Sequence, residues 1–243
     1  MSRNFKPEDF SVTVSPVAYF RSPFPSKFGV PRQSGVVSNL PGEVVFVPEF
    51  RRQEALNGLE GFDFLWLIWG FSGNAGNWKM TVRPPRLGGN RSVGVFASRS
   101  PFRPNGLGLS SVRISSVELD VPEGPVIKVL GADLMDGTPI YDIKPYVRYT
   151  DSHPEAVSGF TDEQEWNEAE VVFPERLREM FVRIASPERP DLAVETLVGT
   201  LAQRPVPQYQ HDAEKIYGMP FMGCDIRFRV ASGIVEVVDI VRS

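Results

Sequence analysis

The sequence predicts a mainly β protein: an N-terminal domain of the small-barrel or sandwich kind over residues 1–147, then a small C-terminal α+β domain over 148–243. Three observations carry this. Short apolar runs bounded by turn signals fill the first part of the chain. The 22 prolines, 21 glycines and 17 phenylalanines among 243 residues favour strands and turns over a helical bundle. After Tyr146 the texture changes, and apolar residues recur at helical spacing.

Strands are expected over Val12–Tyr19, Glu43–Val47, Phe62–Phe71, Trp78–Val82, Val93–Ser98, Ser111–Leu119, Val126–Leu134 and Pro139–Tyr146. Between them stand Leu40-Pro41-Gly42, Arg83-Pro84-Pro85, Leu87-Gly88-Gly89, Pro122-Glu123-Gly124-Pro125 and Asp136-Gly137, which turn or stop a strand. One helix is expected to interrupt the series, with Pro48 in its first position and Gly58 ending it in the left-handed conformation. Beyond Tyr149 a stretch with eight carboxylates and no basic residue reads as a linker into a helix, for which Thr161 and Gln164 make a capping box. Leu177, Met180, Phe181 and Ile184, then Val194, Leu197, Val198 and Leu201, set out two amphipathic helices. Cys224, Ile226, Phe228 and Val230 alternate with Asp225, Arg227 and Arg229 as a half-buried strand, and Ala231-Ser232-Gly233 turns it into a last strand, Ile234–Val241.

Charge is distributed unevenly. The formal net charge is -4, which taken alone argues against a nucleic-acid partner. Residues 1–63 are neutral, whereas Phe64–Val117 contains no carboxylate and carries Lys79, Arg83, Arg86, Arg91, Arg99, Arg103 and Arg113. The remainder sums to -11. Asymmetry on this scale marks a surface for a polyanion.

Several function classes are excluded or disfavoured. Cys224 is the one cysteine, so no intramolecular disulfide or thiolate metal cluster can form, and a buried strand thiol is its expected role. Two histidines, His153 and His211, make a histidine metal site or a Ser-His-Asp triad improbable. The opening MSRNFKPEDF has no apolar core or cleavage site, so no secretory leader is expected and a reducing cytoplasm fits. The longest apolar run, Phe62–Phe71, is too short to span a bilayer. Gly106-Leu107-Gly108-Leu109-Ser110-Ser111 lacks the third glycine of a dinucleotide fingerprint, and there is no phosphate-binding loop.

Four polar strings remain. KFGVPRQSG (27–35) offers Arg32 and Gln33, planar groups suited to a purine edge or a carboxylate. VRPPRLGGNRS (82–92) carries Arg83, Arg86 and Arg91 on a stiff proline hinge, as a phosphate-contacting loop would. FASRSPFRPNGLGLS (96–110) combines Arg99, Arg103 and Asn105 with the stacking surface of Phe102, the mixture used for single-stranded bases. LMDGTPIYDIKPY (134–146) places Asp136 to accept from a ribose hydroxyl or amino group, and Gly137 to admit a ligand against the backbone.

In this order, KFGVPRQSG, RPPRLGGN, GVFASRSPFRPNGLGLS and DGTPIYDIKPY resemble the hallmarks of the TrmO family, also called YaeB-like or VirR-like, densely over 12–147 and more thinly afterwards. The resemblance implies a β-barrel methyltransferase of the non-Rossmann type. It implies S-adenosylmethionine as cofactor, and N6 of threonylcarbamoyladenosine beside a tRNA anticodon as the methylated atom. It also implies a homodimer, with no metal and no membrane. Carried over by residue, the cofactor pocket comprises Pro31, Arg32, Gln33, Arg99, Leu109, Asp136, Gly137, Thr138 and Pro139. Ser72 and Gly73 stand where many relatives carry His-Gln, which leaves backbone contacts there. A C-terminal Asp-Pro-Arg-Pro-x-Tyr string of relatives reads Arg204-Pro205-Val206-Pro207-Gln208-Tyr209 here. Tyr209 is the candidate substrate contact or proton acceptor. A barrel that binds cofactor or RNA without catalysis, and a methyltransferase with another substrate, are the alternative readings.

Overall fold

The computed structural model describes residues 10–74, 77–87, 91–163, 167–206 and 212–243. Six strands close into an antiparallel barrel: β1 (Ala18–Arg21), β2 (Pro41–Phe46), β3 (Phe64–Gly70), β6 (Leu107–Glu118), β7 (Val126–Leu130) and β8 (Thr138–Pro145), in ring order β1-β2-β7-β6-β3-β8. A two-stranded hairpin, β4 (Thr81–Val82) with β5 (Val93–Gly94), is inserted between β3 and β6.

Alternation builds the barrel core. Along β3, Leu65, Leu67 and Trp69 point in while Phe64, Trp66 and Ile68 lie outward. Ala18, Phe20, Val44, Val112, Ile127, Val129 and Ile140 fill the rest of the interior. Gly108 makes room for Trp69: a Cβ there would overlap the indole ring, so glycine lets the ring lie against β6.

Because neighbouring strands are antiparallel, the ends of β1, β7 and β3 and the starts of β2, β6 and β8 share one rim. The connections 22–40, 71–106 and 131–137 all emerge there. Closing the sheet therefore brings out, at one rim, the connections from which the polar strings come.

The second sheet has the order β10-β11-β12-β9, from β10 (Tyr217–Phe221), β11 (Cys224–Ala231), β12 (Ile234–Arg242) and β9 (Glu170–Val172), with β9 parallel to β12. Helix α2 (Glu175–Ala185) packs on β11 and β12, and α3 (Pro190–Ala202) packs on α2 and β9. A single helical turn, α1 (Arg148–Asp151), follows the barrel. It is held where the Asp151 carboxylate accepts the Trp66 indole N–H and the Val147 N–H, each at 2.9 Å.

Phe24, Val37 and Leu40, from the first rim connection, are buried in the core of this second sheet with Phe181, Leu197, Phe221 and Phe228. Phe24 and Phe221 have ring centroids 5.1 Å apart. Gly29, at φ +94°, turns the chain so closely over Met219 that a Cβ would overlap its thioether.

Several sequence expectations are corrected. Residues 48–61 form three short 3₁₀ turns in place of one helix, because the segment lacks an apolar stripe: Leu56 is buried while Phe50 is exposed. Gly58 is left-handed as expected, but it begins the third turn. Strand Val12–Tyr19 starts later, at Ala18, and Val126–Leu134 ends at Leu130, where Gly131 takes φ +79°. Val93–Ser98 stops pairing at Gly94 and coils into a 3₁₀ turn. Thr161 caps no helix: its hydroxyl donates to the Ser158 carbonyl at 2.8 Å, while Gln164 lies outside the described residues. Helix α2 begins after Pro174, with Glu175 in its first turn. Strands β9 and β10 were not anticipated, being too short and too interrupted by Gly218 and Pro220 to show a period.

Candidate active site

The turn before β8 is clasped to the end of β1. The Gly137 N–H donates to the Phe20 carbonyl at 2.8 Å, and the Asp136 N–H donates to the Phe24 carbonyl at 2.9 Å. One Asp136 oxygen accepts the Ser22 N–H at 2.9 Å, and the buried Thr138 hydroxyl donates to the Met135 carbonyl at 2.6 Å. Gly137, at φ +73°, opens onto free space: among the described residues nothing lies within 4 Å of where a Cβ would stand. Asp-Gly is thus both the turn signal the sequence suggests and a gap in the wall.

The first and third strings meet at a side-chain contact. Arg99 Nη1 donates to Gln33 Oε1 at 2.6 Å. Pro31 is buried, Arg32 is exposed, and the Gly35 N–H donates to the Gly131 carbonyl at 2.8 Å. Three rim segments are joined in this way: the 22–40 connection, the loop carrying Arg99, and the 131–137 connection.

Behind the Arg99–Gln33 pair runs a buried polar chain. The Trp69 indole N–H donates to Ser110 Oγ at 2.9 Å, and the Ser110 hydroxyl donates to Asp133 Oδ1 at 2.5 Å. Burial pushes the Asp133 carboxyl above its usual value, while the Ser110 hydroxyl, its own and the Ser34 backbone N–H groups, and the Arg99 charge pull it back. Sequence reasoning missed Ser110 and Asp133. The available signal was an acid inside the otherwise apolar run Gly131-Ala132-Asp133-Leu134.

The remaining predicted contacts are spread around the rim. Ser72 and Gly73 are exposed in a 3₁₀ turn just after β3, next to Phe71, whose N–H donates to the Gly106 carbonyl at 2.8 Å. Pro139 is the second residue of β8, opposite Tyr19. Leu109 points away from the barrel interior, 55% exposed and paired in register with Ile68.

The cationic residues fall into two groups. Arg83 and Asn105 are exposed, Arg86 lies in the turn Pro85–Leu87, and Arg91 pairs with Glu163 at 2.6 Å. Arg103 turns inward and donates to the Ser98 carbonyl at 2.7 Å, shaping the turn that carries Arg99. Phe102 is half-buried, with the Lys79 ammonium 5.2 Å from its ring centre. Trp78 and Phe96, 51% and 79% exposed, add on the same 71–106 connection aromatic surface that the sequence reading passed over. Tyr209 lies outside the described residues. Val206, at the second departure from the family string, is buried in the second core, so that position serves packing here. Arg204 adopts φ +49°, with its Nε buried.

No group of three or more His, Cys, Asp or Glu side chains among the described residues could hold a metal ion. No described helix is long and apolar enough to cross a membrane.

Comparison with known proteins fits this architecture. The chain matches the model of the tRNA-methyltransferase O N-terminal domain over residues 19–152 and that of the TrmO C-terminal domain over 167–243. It is 36% identical over 224 residues to the Escherichia coli protein named tRNA (adenine(37)-N6)-methyltransferase, covering 91% of this chain and 94% of that one. A Pseudomonas aeruginosa protein named putative S-adenosylmethionine-dependent methyltransferase RcsF is 36% identical over 237 residues, 94% of this chain and 97% of its own. The crystal structure of TrmO from Pseudomonas aeruginosa superposes with a TM-score of 0.76 at 30% identity, covering 96% of this chain and 99% of that one. The chain belongs to the TrmO family of β-barrel tRNA methyltransferases.

Proposed function

We propose that this protein transfers a methyl group from S-adenosylmethionine to N6 of adenine 37 beside a tRNA anticodon, with the threonylcarbamoyl form of that adenine as substrate. The observation that carries this reading is the Arg99–Gln33 contact, at 2.6 Å, on the same rim as the Asp136–Thr138 turn. The donor set fits the cofactor: a guanidinium for a carboxylate, a planar amide for a purine edge, and Asp136 beside an open backbone at Gly137 for an amine or ribose hydroxyls. Pro31, Arg32, Gln33, Ser72, Gly73, Arg99, Leu109 and Asp136–Pro139 would hold it.

When bound, S-adenosylmethionine supplies an electrophilic methyl on a sulfonium that leaves neutral and needs no proton. The chain's part is then alignment of donor and acceptor for an in-line displacement. A ureido-type nitrogen has a delocalised lone pair and must lose its proton, and Tyr209 is the proposed substrate contact or acceptor. The barrel (1–147) binds cofactor, and residues 148–243 recognise substrate. Arg83, Arg86 and Arg91 contact phosphate, Phe102 stacks on a splayed base, Asn105 adds an amide, and Arg103 orders the loop between them. Leu109 and Leu107, exposed side by side on the outer face, suit a homodimer in which a second copy covers them. The protein would act in the cytoplasm on tRNA.

Incubation with labelled S-adenosylmethionine and tRNA carrying or lacking the threonylcarbamoyl group tests the reading. Label on modified tRNA alone supports it. Cofactor binding without label would favour a sensing module, and label on unmodified tRNA another substrate. Affinity for tRNA should fall with salt, with a log–log slope of about -0.7 per neutralised phosphate, and Arg83→Ala should reduce that slope by about 0.7. Arg91→Ala should reduce it less, because Glu163 already competes for that guanidinium.

A further inference from the structure

We propose that Asp133 is a positioning residue of the cofactor site: it fastens the 131–137 connection to the barrel wall through Ser110, and that connection holds the segment carrying Gln33, the partner of Arg99. The inference rests on the reading of that pair as a cofactor contact.

The geometry is specific. Asp133 stands three residues before Asp136, on the connection that is fastened to 22–35 at several points. The Gly131 carbonyl, two residues from Asp133, accepts the Gly35 N–H at 2.8 Å. Gln33 stands two residues before Gly35, and its amide oxygen receives Arg99 Nη1 at 2.6 Å. From below, the Ser110 hydroxyl donates to Asp133 Oδ1, and Ser110 in turn receives the Trp69 indole N–H at 2.9 Å. Trp69 and Ser110 are buried parts of the barrel wall.

The chain Trp69–Ser110–Asp133 therefore ties the connection that holds the Gln33 segment to β3 and β6. A carboxylate suits this post because it accepts from several donors at once and balances a nearby guanidinium. An amide of the same shape would still accept from one donor, but it would turn an N–H₂ group toward another and lose the charge that faces Arg99. Burial makes that mismatch costly. Nothing in the transfer chemistry requires Asp133 to touch the reacting atoms, so it acts through Gln33 and Arg99.

The test uses the full-length protein with S-adenosylmethionine and its modified tRNA. Asp133→Asn should raise the Kd and KM for S-adenosylmethionine about tenfold, the size expected for one unsatisfied buried partner. The kcat at saturating cofactor and the KM for tRNA should stay near wild type. Asp133→Glu should recover part of the loss. Ser110→Ala, which keeps the carboxylate but removes its support, should shift the same two constants in the same direction by a smaller factor; it serves also if Asp133→Asn fails to fold. A lowered melting temperature with unchanged cofactor Kd and KM in these variants would mean a purely structural acid and overturn the proposal. Arg99→Ala separates the underlying reading: if that variant binds S-adenosylmethionine normally, the cofactor site itself is misplaced and the role of Asp133 falls with it.

Discussion

The two walls of the rim site are held by different physics. The 131–139 wall is fastened by directional bonds: Gly137 to Phe20, Asp136 to Ser22 and Phe24, and Asp133 to Ser110. The 22–40 wall is held mainly by apolar burial, with Phe24, Val37 and Leu40 inside the core of the second sheet. By sequence this segment belongs to the barrel, between β1 and β2; by packing it belongs to the C-terminal domain. Directional bonds fix orientation at modest net energy, whereas apolar burial supplies energy with less directional demand. The site thus takes its precision from one wall and its anchorage from the other.

Substitutions can break this contrast. The largest effect is expected from Phe24→Ala. It empties a fully buried ring site against Phe221 and should cost about 3–5 kcal/mol in chemical denaturation. The loss should appear in probes of the second sheet and be accompanied by weaker cofactor binding. Unchanged stability of the second sheet would place Phe24 with the barrel after all.

Gly29→Ala comes next. It introduces a Cβ at φ +94° against Met219, and about 1–3 kcal/mol is expected from strain and overpacking. Met219→Ala in the same chain should relieve the steric part but leave the backbone part, and the double-mutant comparison measures the split. Strict additivity would show that the two residues do not meet.

The smallest effect is electrostatic and far from the mouth. The Val147 N–H, and then the Trp66 indole, hold the Asp151 carboxyl below its ordinary value. A depressed folded-state value means that this contribution is present above the unfolded carboxyl's pKa, about 4, and is lost as pH falls through the lowered value. Asp151→Asn should lower stability modestly at neutral pH, leave it nearly unchanged below the lowered value and so flatten the acid limb, read by denaturation at a series of pH values. An unaltered acid profile would deny the Asp151 carboxylate any part in holding α1.

Much of this arrangement is legible in the sequence, and the parts that are not share a cause. Alternation of Leu65, Leu67 and Trp69 with outward residues gives β3 directly, and the 3.6-residue recurrence of Leu177, Phe181 and Ile184 gives α2. The segment 48–61 misleads because Pro48 and Gly58 are genuine helix punctuation, while the residues between them supply no buried stripe. The four strings mark the mouth, but their meeting depends on strand order, which local pattern does not encode. Within the third string the period of two puts Leu109 on the outer face while Ser110 turns in. Asp133 escaped notice because its hydrogen-bond partner, Ser110, lies 23 residues away in the chain.

The burial of Phe24 against Phe221 also sets an order of events during synthesis. Every barrel strand is complete once Pro145 has left the ribosome, but the 22–40 connection lacks its packing partners until β10 and β11 have been made. Phe24 waits through about 200 further residues for its ring partner, on the order of 10–40 s at common elongation rates. A nascent chain stalled before Tyr217 is expected to expose this segment to protease while its barrel is already closed. Protection of the segment in such a chain would contradict that order. On this account the barrel forms first, and its cofactor wall is fastened last, by the other end of the molecule.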